Sequence, residues 1–372
     1  MRLRSSENRV PSPAPPPSGG RAWGDVGVGP LRSIPLALLQ CGVEPAAVLS
    51  SVGLASTTFD DDAERIEFPV LGRLLGVCAA GTGKAHFGLL TGAHFQLPML
   101  GPLGYLMRNE ATVGAALRSL VLHTHLHDRG AVSALTELSS RRSGLSYAVY
   151  VRDTPMRGMI DDGALMIALQ IFRTLCGSRW RPLEVRLAHA APQDPRPYKS
   201  AFEAPVRFDA PLSTMVFESR WLDEPVVGAD PTLRRMLVEL LQTLEQQAPT
   251  SLTAKTRRIL RTGVLVGTDK AAHIAGLFAM SERTLRRRLA SEGESLQALI
   301  AEARLLAAQQ LIEETTLSLA DIALALKYSD ASALSRAFRG WTGVAPSRWR
   351  SRQAPSGDSA SPPVRRARSA GS

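Results

Sequence analysis

The apolar positions of this chain change period several times, and each change marks a predicted element. Leu31 to Leu39 and Pro45 to Val52 read as short helices, and Pro69 to Ala80 carries helical periodicity. Ala111 to His123 predicts a helix with Leu117, Leu120 and Val121 turned inward. Ala131 to Leu138 and Leu145 to Val151 alternate instead, around Arg141-Arg142-Ser143-Gly144, which predicts a hairpin. Ile160 to Cys176 is apolar nearly all round, as a buried helix must be. Leu183 to Leu187 and Met215 to Glu218 add two strands. Pro231 to Gln247 is helical again, with Leu233, Leu237, Leu240, Leu241 and Leu244 along it. Leucines so placed can pack on the preceding domain, link two domains or form a dimer seam.

Beyond residue 252 the pattern is helical and it repeats. Lys270 to Leu277 is a short helix with Ala271, Ile274, Ala275 and Leu277 apolar, and a tight link through Phe278 and Met280 follows. Ser281 to Leu289 then places Leu285 and Leu289 on one face and a dense cationic face elsewhere, with Ser281 as a suitable N-cap. Two short helices, the second basic, form a helix-turn-helix pattern. Leu319 to Leu326, Lys327 to Asp330 and Ala331 to Arg339 repeat it: Ile274-Ala275 matches Ile322-Ala323, and Leu285, Arg287 and Leu289 match Leu334, Arg336 and Phe338. An internal repeat is stronger evidence than either copy alone. Glu294 to Glu313 reads as the long helix between the copies, with Leu296, Leu299, Ile300, Ala303, Ala307, Leu311 and Ile312 on its buried face.

Charge follows the same division. Residues 252–352 hold 16 Lys and Arg against 9 Asp and Glu, whereas residues 31–251 hold 21 against 22. Most of the net +10 therefore sits on the repeated segment, where a phosphate-binding surface needs it. The expected organisation is a disordered Pro/Gly/Ser-rich tail over 1–30, a mixed domain over 31–230, a helical linker over 231–251, an all-helical domain over 252–352 and a disordered basic tail over 353–372. The fold class is α+β, with a sheet-and-helix N-terminal domain and an all-α C-terminal domain in which a long helix joins two helix-turn-helix motifs. Cys41, Cys78 and Cys176 are odd in number and far apart, as buried reduced thiols are. No apolar run spans a bilayer, and Pro11 to Gly20 stand where a signal peptide needs an apolar stretch, so a cytoplasmic protein is expected.

At these residues the chain resembles the AraC/XylS family of bacterial transcription regulators. The resemblance covers about 100 residues, 252–352, and rests on Met280 to Leu289, Gly293, Arg304, Ser318 to Ala323, Leu334 to Phe338, Trp341-Thr342-Gly343, Pro346 and Arg350, in the right order and spacing. Two positions depart from the family pattern. Lys327 stands where a glycine usually precedes an aromatic; if that backbone needs a positive φ, lysine costs on the order of 1 kcal/mol. Leu334 stands where an aromatic is frequent. The first domain looks like the effector domain of the subgroup that includes ornithine- and arginine-utilisation regulators, through Asp61 to Ile66, Met99 to Tyr105, Val113 to Leu117 and Trp221 to Pro225.

The resemblance implies a sequence-specific regulator, an activator by preference, that sets two recognition helices in successive major grooves of double-stranded DNA and works with RNA polymerase. Base edges are expected for Arg283, Arg286 and Arg287 in the first helix, since a guanidinium can donate twice to guanine, with Thr284 on the same helix. Ser332 and Arg336 are expected on bases in the second. Ser335 is expected on phosphate, Arg288 and Arg339 on phosphates or in solvent, and Asp330 as that helix's cap; for each single arginine a phosphate contact is as frequent as a base contact. A small-molecule effector in the first domain would bias the second. Arg65, Tyr105, Arg108 and Tyr147 are its candidate polar contacts, an arginine suiting the carboxylate of an amino-acid-like ligand; an ordinary salt bridge or core edge is the more frequent role for each.

Three other chemistries have some support in the residues. His123 and His127 share a helical face and, with His125, could chelate a divalent ion, but no cysteine and only Asp128 lies beside them, so no metal is expected. No P-loop, dinucleotide-binding glycine motif or nucleophile–base constellation occurs: Gly81-Thr82-Gly83-Lys84 lacks the Walker frame, so neither a cofactor nor an enzyme is expected. Two alternatives remain: a metabolite-processing enzyme with its active site in 31–230 and a DNA-binding domain, and a nonspecific nucleic-acid packaging protein, for which two structured repeat copies are unnecessary.

Overall fold

The computed structural model describes residues 24–151, 153–247, 251–278, 280–314 and 317–353. The chain opens with β1 (Asp25–Gly27), α1 (Ser33–Gln40) and α2 (Pro45–Ser51), then β2 (Arg65–Glu67), α3 (Phe68–Thr82), α4 (Phe87–Ala93), α5 (Pro102–Asn109) and α6 (Val113–His123). The hairpin β3 (Ala131–Ser139) and β4 (Arg142–Val149) follows, then α7 (Arg157–Cys176), β5 (Glu184–Arg186), α8 (Arg196–Phe202), β6 (Val206–Arg207), β7 (Ser213–Glu218) and α9 (Pro231–Gln247). The remainder is helical: α10 (Leu252–Val266), α11 (Ala271–Leu277), α12 (Glu282–Ser291), α13 (Leu296–Glu314), α14 (Leu319–Ala325), α15 (Ala331–Thr342) and α16 (Pro346–Gln353).

The main sheet has the order β3-β4-β7-β5-β6, antiparallel except for β5 with β6. Leu145 sits opposite both Leu135 and Met215, so one face gathers apolar residues across three strands. The hairpin turns at Ser140 and Arg141, just ahead of the Arg-Arg-Ser-Gly stretch, so Arg142 to Gly144 belong to β4. Helix α7 covers the sheet. It buries Leu165, Leu169 and Phe172 among others, and Phe172 stacks on Trp180 with ring centroids 4.1 Å apart. It also lies close against α4, because Gly88 and Gly92 face it: a Cβ on Gly88 would meet the Met159 carbonyl oxygen at 2.1 Å, and one on Gly92 the Gly163 oxygen at 2.4 Å.

The expectation of disorder over 1–30 fails at its end. Residues 1–23 lie outside the described residues, but Asp25–Gly27 pairs with β2, Val26 opposite Ile66, and Val26 and Val28 are buried. The strand is too short and its partners too distant in sequence to show as periodicity. Val28 joins Ile34, Phe68, Leu74 and Val149 in one core cluster, whereas Leu117, Leu169, Phe172, Met215 and Phe217 belong to another. Tyr147 packs against both. The expected basic tail from 354 onward also lies outside the described residues.

Helices α10 to α16 share a third core built from Leu260, Ile274, Leu285, Leu289, Leu299, Leu311, Ile322, Leu334 and Phe338. Leu334 is fully buried. Lys327 follows α14 at φ +62°, so the backbone does require the left-handed conformation that glycine adopts freely. Replacing Lys327 with glycine is expected to raise the stability of the helical region by on the order of 1 kcal/mol, read as a higher urea midpoint at unchanged slope.

Candidate DNA interface and ligand cavity

Each helix-turn-helix unit is set by a local capping bond. The Ser281 hydroxyl accepts from the Thr284 N–H at 3.2 Å, and the Thr284 hydroxyl meets it at 2.9 Å. Asp330 accepts from the Ala333 N–H at 2.7 Å, as expected of a cap. With Leu285 and Leu289 fully buried, helix α12 can only turn its arginines outward: Arg283, Arg286, Arg287 and Arg288 are exposed, and Thr284 is half-buried at the cap. Arg286 is tethered to Glu282 at 3.4 Å. On α15, Leu334 and Phe338 are buried, Ser332, Arg336 and Arg339 are exposed and Ser335 is half-buried.

Not all the charge of residues 252–352 reaches this surface. Arg257 pairs with Glu294 and Glu302, Arg304 with Asp269, and Arg350 donates to the carbonyls of Ile312 and Leu317. Arg258 and Arg261 turn toward the sheet domain. The Arg258 guanidinium donates to the Leu122 carbonyl at 3.1 Å, and Arg261 lies 4.1 Å from the ring centroid of Tyr150. Gln310 on α13 donates to the Val149 carbonyl at 3.3 Å. Glu245 at the end of α9 accepts from Lys255 at 3.3 Å and stands beside His123 and His125 at 3.1 and 3.2 Å. Burial opposes ionisation of Glu245, yet the two histidines and Lys255 hold its carboxyl well below the usual range. The end of β4 and helix α10 therefore form a contact between the two parts of the chain.

Two hollows flank β4. One, of about 110 Å³, lies inside the N-terminal part between α1, α3, α7 and the hairpin, and Val26, Ile34, Phe68, Leu71, Leu145 and Ile171 belong to its apolar lining. Its polar lining consists of Thr91, Thr124, His127, Asp128, Ser133, Ser146 and Tyr147. The other, of about 490 Å³, is a cleft between β4, α7, α10 and α13, bordered by Tyr147, Asp161, His189, Arg261 and Gln310. Tyr147 borders both.

Of the four polar effector candidates, only Tyr147 lines the inner cavity. Arg65 is spent as a clip: it pairs with Asp25 at 2.5 Å and donates to the carbonyls of Leu126 and His127 at 3.1 and 2.6 Å. Tyr105 is half-exposed on the outer face of α5. Arg108 is exposed and reaches only the Thr174 carbonyl at 3.4 Å. An arginine for a ligand carboxylate is thus absent from the cavity lining. The histidines diverge: His123 and His125 face Glu245, while His127 Nε2 meets the Leu100 carbonyl at 2.7 Å. Among the described residues no group of three or more His, Cys, Asp or Glu is placed to hold a metal.

Sequence reasoning missed two buried acids. Asp128 accepts from the Tyr147 hydroxyl at 3.2 Å through one oxygen, and its other oxygen is buried with no hydrogen-bond partner. Burial pushes its pKa up to about 7. Asp161 accepts from the Ser213 hydroxyl at 2.6 Å, and burial raises it likewise to about 7. His189 bonds Asp162 at 2.9 Å, not Ser213, so this group is a buried polar network without a nucleophile–base pair.

A cavity-bearing sheet domain joined to a pair of capped helix-turn-helix units with cationic outer faces defines a ligand-responsive DNA-binding regulator. The comparisons give the family. Residues 42–226 match the model of the arabinose-binding domain of AraC transcription regulators, and residues 274–352 match a helix-turn-helix domain. The chain belongs to the AraC/XylS family, in the subgroup that includes the ornithine utilization regulator. It is 28% identical over 281 residues to the HTH-type transcriptional regulator VirS of Mycobacterium tuberculosis, covering 75% of this chain and 82% of that one. It is 27% identical over 320 residues to the ornithine utilization regulator of Pseudomonas aeruginosa, covering 84% and 92%. The crystal structure of the transcriptional regulator CdpR from Pseudomonas aeruginosa superimposes with a TM-score of 0.44 at 22% identity, over 87% of this chain and 98% of that one. The protein is an AraC-type DNA-binding transcriptional regulator with an N-terminal ligand-binding domain.

Two outcomes follow for stability. A carboxyl whose pKa is raised on folding binds its proton more tightly in the folded state, so its contribution is present at low pH and is lost as pH rises through the folded value. Asp161→Asn, which keeps an acceptor for Ser213, is expected to gain stability relative to the unaltered protein as pH rises from about 4 to about 7, measured as the difference in melting temperature across that range. A double-mutant cycle on Tyr150→Ala and Arg261→Ala, read by denaturant unfolding, is expected to give a coupling of about 1–2 kcal/mol, as a desolvated cation–π pair does.

Proposed function

We propose that the protein is a transcriptional activator that reads a bipartite DNA site through α12 and α15 and is controlled by a small molecule held in the cavity beside Tyr147. The observation that carries this reading is the pair of capped helices whose buried faces leave Arg283, Arg287, Ser332 and Arg336 on the outside. Among the described residues Arg283 and Arg287 have no ion pair, which favours them for base edges; Arg286 first has to leave Glu282. Thr284, beside its cap, and the half-buried Ser335 suit phosphate contacts, and Arg288 and Arg339 suit phosphates on the flanks. In this reading residues 31–230, extended back to Asp25, form the effector domain, 231–251 the helical linker and 252–352 the DNA-binding domain.

The hairpin supplies the route for control. A ligand that moves Tyr147 acts three residues from Tyr150, within about 10 Å of chain, where Arg261 rests and Gln310 holds the Val149 carbonyl. Such coupling requires that the ligand favour one placement of α10 over another. RNA polymerase is the expected protein partner. A second copy of the chain is favoured by Leu233, Met236 and Leu240, which stay exposed on α9 while Leu237 and Leu241 pack on Leu106. The helices among the described residues include none long and apolar enough to cross a membrane, and the cytoplasm is the proposed location. Binding without turnover is proposed for the ligand.

Selection of bound DNA from a random pool by the full-length protein, at near-physiological salt, is expected to return two short blocks about 10 base pairs apart. On that site Arg287→Ala is expected to weaken binding by about 1–3 kcal/mol and to relax preference at one base position. Equal weakening on every sequence would instead make Arg287 a phosphate contact, and a pool without enrichment would favour nonspecific packaging.

A further inference from the structure

The chemistry of the inner cavity narrows the class of ligand, provided that this cavity is the effector site as proposed above. Its walls are mostly aliphatic or aromatic, and most of its polar groups already have a local partner. The Thr91 hydroxyl donates to the Gly88 carbonyl at 2.7 Å and that of Thr124 to the Leu120 carbonyl at 2.6 Å. The Ser146 hydroxyl is shared with Thr214 at 2.8 Å, and His127 Nε2 is engaged at the Leu100 carbonyl. Two groups of the lining are exceptions among the described residues: the Ser133 hydroxyl makes no hydrogen bond, and Asp128 Oδ1 is buried without a partner, the latter on a group that can carry charge. A carboxylate oxygen left so in an apolar site costs free energy until a donor reaches it.

The loop that carries Asp128 is fixed, not free to swing away. Val26 bridges to Asp128, the Gly27 N–H donates to the His127 carbonyl at 2.8 Å, and the Arg129 N–H donates to the Asp25 carbonyl at 2.8 Å. The charged groups around it have been taken up elsewhere. Arg65 is held by Asp25 and two carbonyls, Asp25 also faces Arg129, and Tyr147 donates to the other Asp128 oxygen. The Tyr150 hydroxyl is turned to the Arg129 carbonyl at 2.8 Å. Burial keeps His127 neutral by lowering its pKa. No lysine or arginine lines the cavity. The site is therefore short of a cation beside a buried carboxyl.

We infer that the cavity takes a compact, mostly apolar primary amine whose ammonium group pairs with the Asp128 carboxyl. The size follows from the volume. A cavity of about 150 Å³ takes benzene, so 110 Å³ suits a five- or six-heavy-atom body without movement of the walls. An ammonium supplies both the hydrogen bond and the counter-charge that a buried carboxylate lacks, and a charge-assisted bond is the stronger one. Tyr147 is a positioning residue: its hydroxyl holds the carboxyl in place and favours its ionised form.

The test uses the full-length protein and three probes of similar shape: cyclopentylamine, cyclopentanol and cyclopentanecarboxylate, titrated by calorimetry and ligand-observed NMR. The amine is expected to bind tightest and the carboxylate weakest. Asp128 ionises at about pH 7, so affinity for the amine is expected to rise about tenfold from pH 6 to pH 8 and then level off. Asp128→Asn should abolish the advantage of amine over alcohol, and Tyr147→Phe should move the pH midpoint upward while leaving binding of the alcohol intact. A carboxylate that binds best, or an amine preference that survives Asp128→Asn, overturns the assignment of ligand class while the cavity remains the effector site. If none of the three binds, the cavity is not a ligand site and the proposed effector site falls with it.

Discussion

The contact between Arg261 and Tyr150 is central among those that join the two parts of this protein. A guanidinium over an aromatic face is attracted more strongly once water is excluded, and here burial lowers the pKa of Arg261, a sign of its desolvation. Around it lie the hydrogen bonds from Arg258 to the Leu122 carbonyl and from Gln310 to the Val149 carbonyl. These bonds spend side chains of the basic region on main-chain atoms of the sheet domain. The cationic excess of residues 252–352 is thus divided between structure and surface, and the surface share is concentrated on α12 and α15.

Strand β4 carries this contact at one end and borders the inner cavity along its middle. Its Tyr147 packs against both core clusters of the N-terminal part and borders both hollows. Packed cores resist continuous deformation, so a change of occupancy at Tyr147 cannot be absorbed by slack side chains on either side. The β1 strand closes the cavity from the far side, through Val26 and the bridge to Asp128. The first described residues are thereby part of the cavity wall.

The buried acids share one physical origin. Asp128 and Asp161 are each placed by a hydroxyl donor, from Tyr147 and Ser213, in surroundings that disfavour their charge. Asp161 sits on the cleft shared with α10 and α13, and Asp128 on the inner cavity. Both hollows beside β4 therefore contain a carboxyl whose protonation changes near neutral pH. Carboxyls so perturbed cluster at functional sites more often than elsewhere.

Much of the helical region was legible because its determinants are local. Ser281 and Asp330 cap helices that begin within three residues of them, and Leu285, Leu289, Leu334 and Phe338 are spaced by one helical turn, so neighbouring residues suffice to name the exposed arginines. The hairpin and the all-apolar α7 were legible for the same reason. The inner cavity was not, because its members meet across long stretches of chain: Asp25 with Arg65, Val26 with Asp128, Tyr147 with Asp128. Arg65 and Arg108 had the right chemistry for a carboxylate, but tertiary packing assigned one to Asp25 and main-chain carbonyls and the other to the surface. By itself the sequence determined the elements, their caps and the repeated helix-turn-helix pattern, since periodicity and capping act over a few residues. Which polar group is left unpaired in the cavity, and which arginines are drawn away from DNA, was decided only by the tertiary structure, because pairing and burial are properties of neighbours that the chain brings together from afar.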